Sequence, residues 1–187
     1  MEAMETLRAK CGRKHDALPK WEPPSEGMLK VNVDASTNRD GRKGLGVVLR
    51  DCNGDIRVMA CRSFKANWDV AMVEASAVLY GVNICWHEGL KNVVIETDSK
   101  QVADALNGRY AFLNYTSFLI HEAINLGAQV HVSSFSFASR TKNKVAHELA
   151  QLALRVGGER VWHESWPSCV AMLAEQDQFV LPERFAV

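Results

Sequence analysis

The stretch Leu29-Lys30-Val31-Asn32-Val33-Asp34-Ala35-Ser36 (LKVNVDAS) decides the fold. Leu29, Val31 and Val33 alternate with Lys30, Asn32 and Asp34, a period of two that marks a β-strand with two different faces. The β-branched valines favour the extended state, and the run is bounded by Gly27 and by a polar loop. Asp34 is the residue to explain. A carboxylate at the end of an early strand is costly if buried without a partner, so the question is whether other acidic residues gather around it.

Outward from this strand the chain reads as alternating elements. A polar turn with Asp40-Gly41 at its centre precedes a second strand, Gly44 to Asp51. Asn53-Gly54 is a strong hairpin signal, and Ile56 to Phe64 is a third strand, so the first three form an antiparallel meander. Asp69 caps a long helix, Val70 to His87, that ends at Gly89. Lys91 to Thr97 is a fourth strand. A helix begins at Ser99, runs to about Leu106 and stops at Asn107-Gly108. Tyr115 to Leu126 is a helix closed by Gly127, Gln129 to Ser134 a fifth strand, and Thr141 to Arg155 a last helix with the apolar stripe Val145, Leu149, Leu152 and Val156. Gly44-x-Gly46 lacks a third glycine at the dinucleotide spacing and lies within a strand pattern, so it reads as a pair that lets a neighbouring backbone approach closely. A meander followed by helix-linked strands implies an α/β fold, a five-stranded mixed sheet with helices on both faces.

The 187 residues divide into an N-terminal tail and Pro-containing linker (1–27), one domain (28–156) and a C-terminal tail (157–187). The first tail holds a short helix around Met4 to Cys11, and Trp21-Glu22-Pro23-Pro24 reads as an extended linker. The second tail, with Trp162, Trp166 and Phe179, is apolar enough to pack partly back on the domain. Hydrophobic residues make up 47% and charged residues 24%, which permits a real core. Lys plus Arg balance Asp plus Glu at 22 each, so nucleic-acid binding would have to rest on a local patch. The five cysteines include no C-x-x-C pair, which argues against a disulfide framework or a zinc site. No apolar run approaches a membrane span and no signal segment opens the chain, so the expected setting is intracellular, nuclear or cytoplasmic, without a membrane partner.

Three carboxylates occupy unusual places. Asp34 ends the first strand, and Asp98 lies where the fourth strand meets the next helix. Glu74 shares a helix face with Val70, Ala71, Ala77, Val78 and Gly81, where a charge needs a partner. Each has a structural alternative: Asp98 as a helix cap, Asp34 in an Asx-turn, Glu74 paired with a lysine at the sheet edge. If the first and fourth strands are adjacent and parallel, all three converge. Three convergent carboxylates repel unless a divalent cation neutralises them, and hard oxygen ligands select Mg²⁺ or Mn²⁺.

The ordered series LKVNVDAS, GLGVVLRDCNGD, VEASAVLYGV, VVIETDS and NKVAHELAQLA resembles the plant ribonuclease H-like domain, a type also found at the end of non-LTR retroelement polyproteins. The likeness runs from about Trp21 to Ala153. It implies the ribonuclease H-like fold and two-metal (Mg²⁺ or Mn²⁺) hydrolysis of the RNA strand in an RNA–DNA hybrid by a monomer. One ion would activate the attacking water and the other stabilise the leaving 3′ oxygen. By the same resemblance Asp34, Glu74 and Asp98 match the metal-binding catalytic carboxylates, with Asp34 bridging both ions, and His147 falls at the fourth position. Ser36, Ser99, Arg140 and Asn143 would contact nucleic acid.

The sequence also departs from the family pattern. His147 replaces the usual fourth aspartate, as is common in the plant group, and brings no negative charge. Ala35 stands where the family more often has glycine, the loop from Phe135 to Lys142 contains no histidine, and the basic helical protrusion of some members is missing. Arg140, Lys142 and Lys144 form a small basic patch that is either a nucleic-acid contact or a solvated face. These departures leave a second reading open: a ribonuclease H-like nucleic-acid-binding or interaction module with impaired catalysis. A third makes the acidic residues simply caps.

Overall fold

The computed structural model describes residues 20–178. The strands are β1 (Leu29–Thr37), β2 (Arg42–Arg50), β3 (Ile56–Lys65), β4 (Val93–Thr97), β5 (Val132–Phe137) and β6 (Glu159–Trp162). The helices are α1 (Val70–His87), α2 (Lys100–Leu106), α3 (Tyr115–Gln129), α4 (Lys144–Val156) and α5 (Ser168–Gln178), with a 3₁₀ turn at Arg140–Lys142. The short helix read at Met4 to Cys11 lies outside the described residues.

The strands form one sheet in the order β5-β4-β1-β2-β3-β6. The β1–β2, β2–β3 and β3–β6 pairs are antiparallel, while β1–β4 and β4–β5 are parallel. The sheet is therefore mixed, as the element order implies, but it has six strands rather than five. The extra strand is four residues of the C-terminal segment. It is too short to show alternation and largely exposed, so no buried face marks it in the sequence.

Helices cover both faces. On one, α1 packs its buried Val73, Val78 and Val82 against Val31, Val33 and Val47, with α3 adding Leu119, Ile120 and Ala123. Fully burying such side chains contributes about 1.5–3 kcal/mol each. On the other, α4 sets Val145, Ala146, Leu149 and Ala153 against Val48, Met59 and Cys61, and α5 closes the edge with Val170 and Ala174. The glycine pair of β2 explains how close α4 sits. A Cβ on Gly44 would collide with the Ala150 carbonyl, and one on Gly46 with the backbone at Ala146 and Ala150.

Several boundaries move for identifiable reasons. Gly127 is buried inside α3 rather than ending it, because a Cβ there would crowd Val132 and Phe135 at 3.2 Å. The left-handed residue that follows α3 is His131, so β5 starts later than read. Asn92, also left-handed, delays β4 to Val93. Asn143, at φ −114°, separates the 3₁₀ turn from α4, which begins at Lys144. Trp21 lies in extended chain, as read, but it is only 5% exposed and packs on the sheet. No helix among the described residues is long and apolar enough to cross a membrane.

Candidate metal centre

Both faces of β1 are covered, and its polar face becomes a buried column. Lys30, Asn32, Asp34 and Ser36 point to the α4 side, all of them buried. Asp34 is 1% exposed. The parallel β1–β4 register, with Val33 opposite Thr97, brings Asp98 alongside. Glu74 enters from the second turn of α1, which Asp69 starts by accepting the Met72 N–H at 2.9 Å.

Ligand atoms of Asp34, Glu74 and Asp98 all lie within 4.8 Å of one another. None of the structural alternatives accounts for them. Ser99, not Asp98, caps α2 through the Val102 N–H, Asp34 makes a long-range contact rather than an Asx-turn, and among the described residues Glu74 pairs with no lysine. Asp34 Oδ1 and Glu74 Oε2 are buried without a hydrogen-bond partner. Such atoms are rare in folded proteins and point to a missing ligand.

Burial, then the negative charges of Asp98 and Glu74, push the Asp34 carboxyl up to about 9. Burial and Asp98 push Glu74 up to about 8, while Arg140 works in the opposite sense. The cluster therefore resists full ionisation unless a cation compensates. Three convergent carboxylates, two of them with buried unpartnered oxygens, suit a hard divalent ion, so the residues present fit Mg²⁺ or Mn²⁺.

His147 places Nδ1 2.7 Å from Asp34 Oδ2 and is not itself a member of the close three-carboxylate group. With Asp34 ionised, Nδ1–H donates; with Asp34 protonated, Nδ1 accepts. Arg140, largely exposed, approaches Asp98 at 3.4 Å. Lys142 is tied to Glu22 at 2.5 Å, which leaves Arg140 and Lys144 as the outward part of the basic patch. The other residues read as nucleic-acid contacts have internal duties. The Ser36 hydroxyl accepts from Gln151 at 3.0 Å, and Ser99 caps α2. Asn143, 1% exposed, donates to the Val33 carbonyl at 2.9 Å and so pins the start of α4 beside Asp34. Ala35 lies within β1 with no left-handed backbone to strain.

Gln151 is a residue the sequence reading missed, although its spacing of four from His147 was a usable signal.

The reverse transcriptase-like family profile matches residues 32–153. The chain belongs to the reverse transcriptase-like family. The match spans β1 to α4 and so contains all three carboxylates and His147. Among solved structures, the chain is similar to RNase H1 from the archaeon Halobacterium salinarum NRC-1, with a TM-score of 0.64 and 20% identity over 69% of this chain and 98% of that one. It is also similar to the N-terminal RNase H domain of a Mycobacterium tuberculosis protein, solved as a fusion with maltose binding protein (TM-score 0.61, 19% identity, 68% and 94% coverage). A third is LC11-RNase H1 in complex with RNA/DNA hybrid (TM-score 0.59, 17% identity, 67% and 99% coverage). At these identities the likeness establishes a ribonuclease H-like fold. No curated protein sequence matches the chain.

Proposed function

We propose that this member of the family is a divalent-metal-dependent endonuclease that hydrolyses the RNA strand of RNA–DNA hybrids. Its main support is the convergence of Asp34, Glu74 and Asp98 within 4.8 Å, with buried, unpartnered oxygens on Asp34 and Glu74. LC11-RNase H1, which shares the fold, is complexed with such a hybrid.

Asp34, the most buried of the three, would be the shared ligand, with Glu74 and Asp98 flanking it. These residues would hold a pair of Mg²⁺ or Mn²⁺ ions, which when bound would supply Lewis-acid activation of water and charge neutralisation at the leaving 3′ oxygen. His147 orients Asp34 through Nδ1, and its ring fixes which carboxylate oxygen is left for ligation. We also assign it as the candidate fourth ligand. Arg140 stands at the mouth of the site and would take a backbone phosphate in place of its contact with Asp98. All three carboxylates come from one chain, which supports a monomer as the proposed working unit, and the proposed setting is the nucleus or cytoplasm.

The test is cleavage of a labelled RNA–DNA hybrid by the purified chain with Mg²⁺ or Mn²⁺. Products above those of an Asp34→Asn control support the reading; equal products refute it. One observation favours a non-catalytic binding module instead: His147 and Arg140 already contact Asp34 and Asp98. That module would bind hybrid equally well with metal or with chelator.

A further inference from the structure

The buried column of β1 continues below the metal centre into a polar network that the carboxylate chemistry does not use. Asn32 is 0% exposed, and its side chain is shared among three neighbours. Its Oδ1 accepts from Trp21 Nε1 at 2.8 Å and from Arg50 Nη2 at 3.1 Å, and its Nδ2 donates to Glu96 Oε2 at 2.9 Å. Arg50, 1% exposed, lies over the Trp21 ring with its guanidinium carbon 3.7 Å from the ring centroid and reaches Asp177 of α5 at 2.8 Å. Lys30 closes the other side on Glu96 at 2.7 Å and on the Glu22 carbonyl at 2.7 Å.

We propose that the Trp21–Arg50–Asn32–Glu96 network is a positioning layer for the metal centre, closed by the segments on either side of the family-matched region. This inference rests on the metal reading of Asp34, Glu74 and Asp98.

The placement carries the argument. Asn32 and Glu96 are direct partners in the parallel β1–β4 register. Residues two apart on a strand share a face, so Asn32 lies one step below Asp34, and Glu96 is the last residue on its face before Asp98. Their hydrogen bond ties together the two strands that deliver the two aspartates. It fixes their relative height and separation where like charges would otherwise push them apart. A layer of aliphatic side chains would hold the strands as firmly but would not fix which atoms meet. Buried polar networks impose that uniqueness through their directed bonds; here both terminal nitrogens of Arg50 are bonded, to Asp177 and Asn32, while its Nε is buried without a partner.

Trp21 and Asp177 lie outside residues 32–153. One orders the guanidinium by stacking and the other by charge, so Arg50 can hold Asn32 in a single rotamer. The segments that flank the family-matched region thereby become part of the support of the site. None of the four network side chains touches the site itself; each acts through Asn32, Glu96 and the strands.

The test uses the full chain. Asn32→Leu removes the strand-to-strand link at similar volume, Trp21→Phe removes the indole N–H and part of the ring while keeping an aromatic face, and Arg50→Met is compared with the conservative Arg50→Lys. Val82→Ala, in α1 away from the network, is the control for simple loss of stability. Two readouts are taken below each variant's melting temperature: the Mn²⁺ dissociation constant by calorimetry, and amide hydrogen exchange at Val33–Ala35 and Thr97–Ser99 without metal. The expected result is Mn²⁺ binding about tenfold weaker for Asn32→Leu and Arg50→Met, partly recovered in Arg50→Lys, with faster exchange at both strand ends. Val82→Ala should lower the melting temperature and change neither readout. Should Asn32→Leu fail to fold, Trp21→Phe and the two Arg50 variants decide alone. Wild-type Mn²⁺ affinity and unchanged exchange in the network variants would overturn the proposal. If the wild-type chain binds no Mn²⁺, the metal reading fails on its own, and the exchange data still decide whether the network orders the strand ends.

Discussion

Asp34 is nearly inaccessible, yet one of its oxygens has no hydrogen-bond partner, so its protonation is tied to the stability of the metal-free fold. The Asp34 carboxyl is raised to about 9 and that of Glu74 to about 8. In the unfolded chain both return to about 4. Between those values the folded form holds protons that the unfolded form has released, so stability is full below about pH 4 for these two groups and falls as pH rises through 8 to 9. The melting temperature of the metal-free protein should therefore fall between pH 5 and pH 8 through these groups. The slope should flatten in Asp34→Asn, as differential scanning calorimetry in chelator would show. His147→Asp belongs to the same scale. A fourth carboxylate against Asp34 should lower the metal-free melting temperature and tighten Mn²⁺ binding in calorimetric titration, because it adds repulsion that only the cation relieves. Asp34 and Glu74 were legible in the sequence because a lone charge is expensive where they stand, and Asp98 because it lies where a strand meets a helix. The roles of Asn32 and Asn143 were not, because alternation separates two faces of a strand without saying that both are covered.

At the scale of elements, the approach of α4 to β2 is the tightest constraint. Gly46 leaves no room for a side chain beneath Ala146 and Ala150. Gly46→Val should cost about 3 kcal/mol in urea denaturation, since the backbone of α4 must move and α4 carries both His147 and the Asn143 anchor. The pattern of Gly44 and Gly46 within a strand made this approach readable in advance. Gly127 shows the opposite case. A glycine after an apolar helix run looks like a stop, but here it admits Val132 and Phe135. Sequence spacing alone cannot separate a glycine chosen for its backbone from one chosen for its missing side chain. The sixth strand was hidden for a related reason: an exposed four-residue edge leaves no periodic trace.

For the whole molecule, the charge balance sets how nucleic acid would be held. The formal net charge is zero, and near the carboxylates Lys142 is occupied by Glu22. Binding of hybrid should therefore depend weakly on salt, with a slope of log K against log salt of about −2, and Arg140→Ala should reduce it by about 1. Fluorescence anisotropy across a salt series measures both. The order of strands and helices, and with it the mixed sheet, followed from hydrophobic periodicity and turn residues. The clamping of Trp21 and Asp177 over Arg50 could not, because it joins residues far apart in the chain that no local spacing connects. The central claim is that Asp34, Glu74 and Asp98 form a divalent metal centre. Crystals grown with Mn²⁺ and measured at the manganese edge test it directly. The account predicts anomalous density between these three carboxylates, absent in Asp34→Asn; wild-type crystals with no peak there would contradict it.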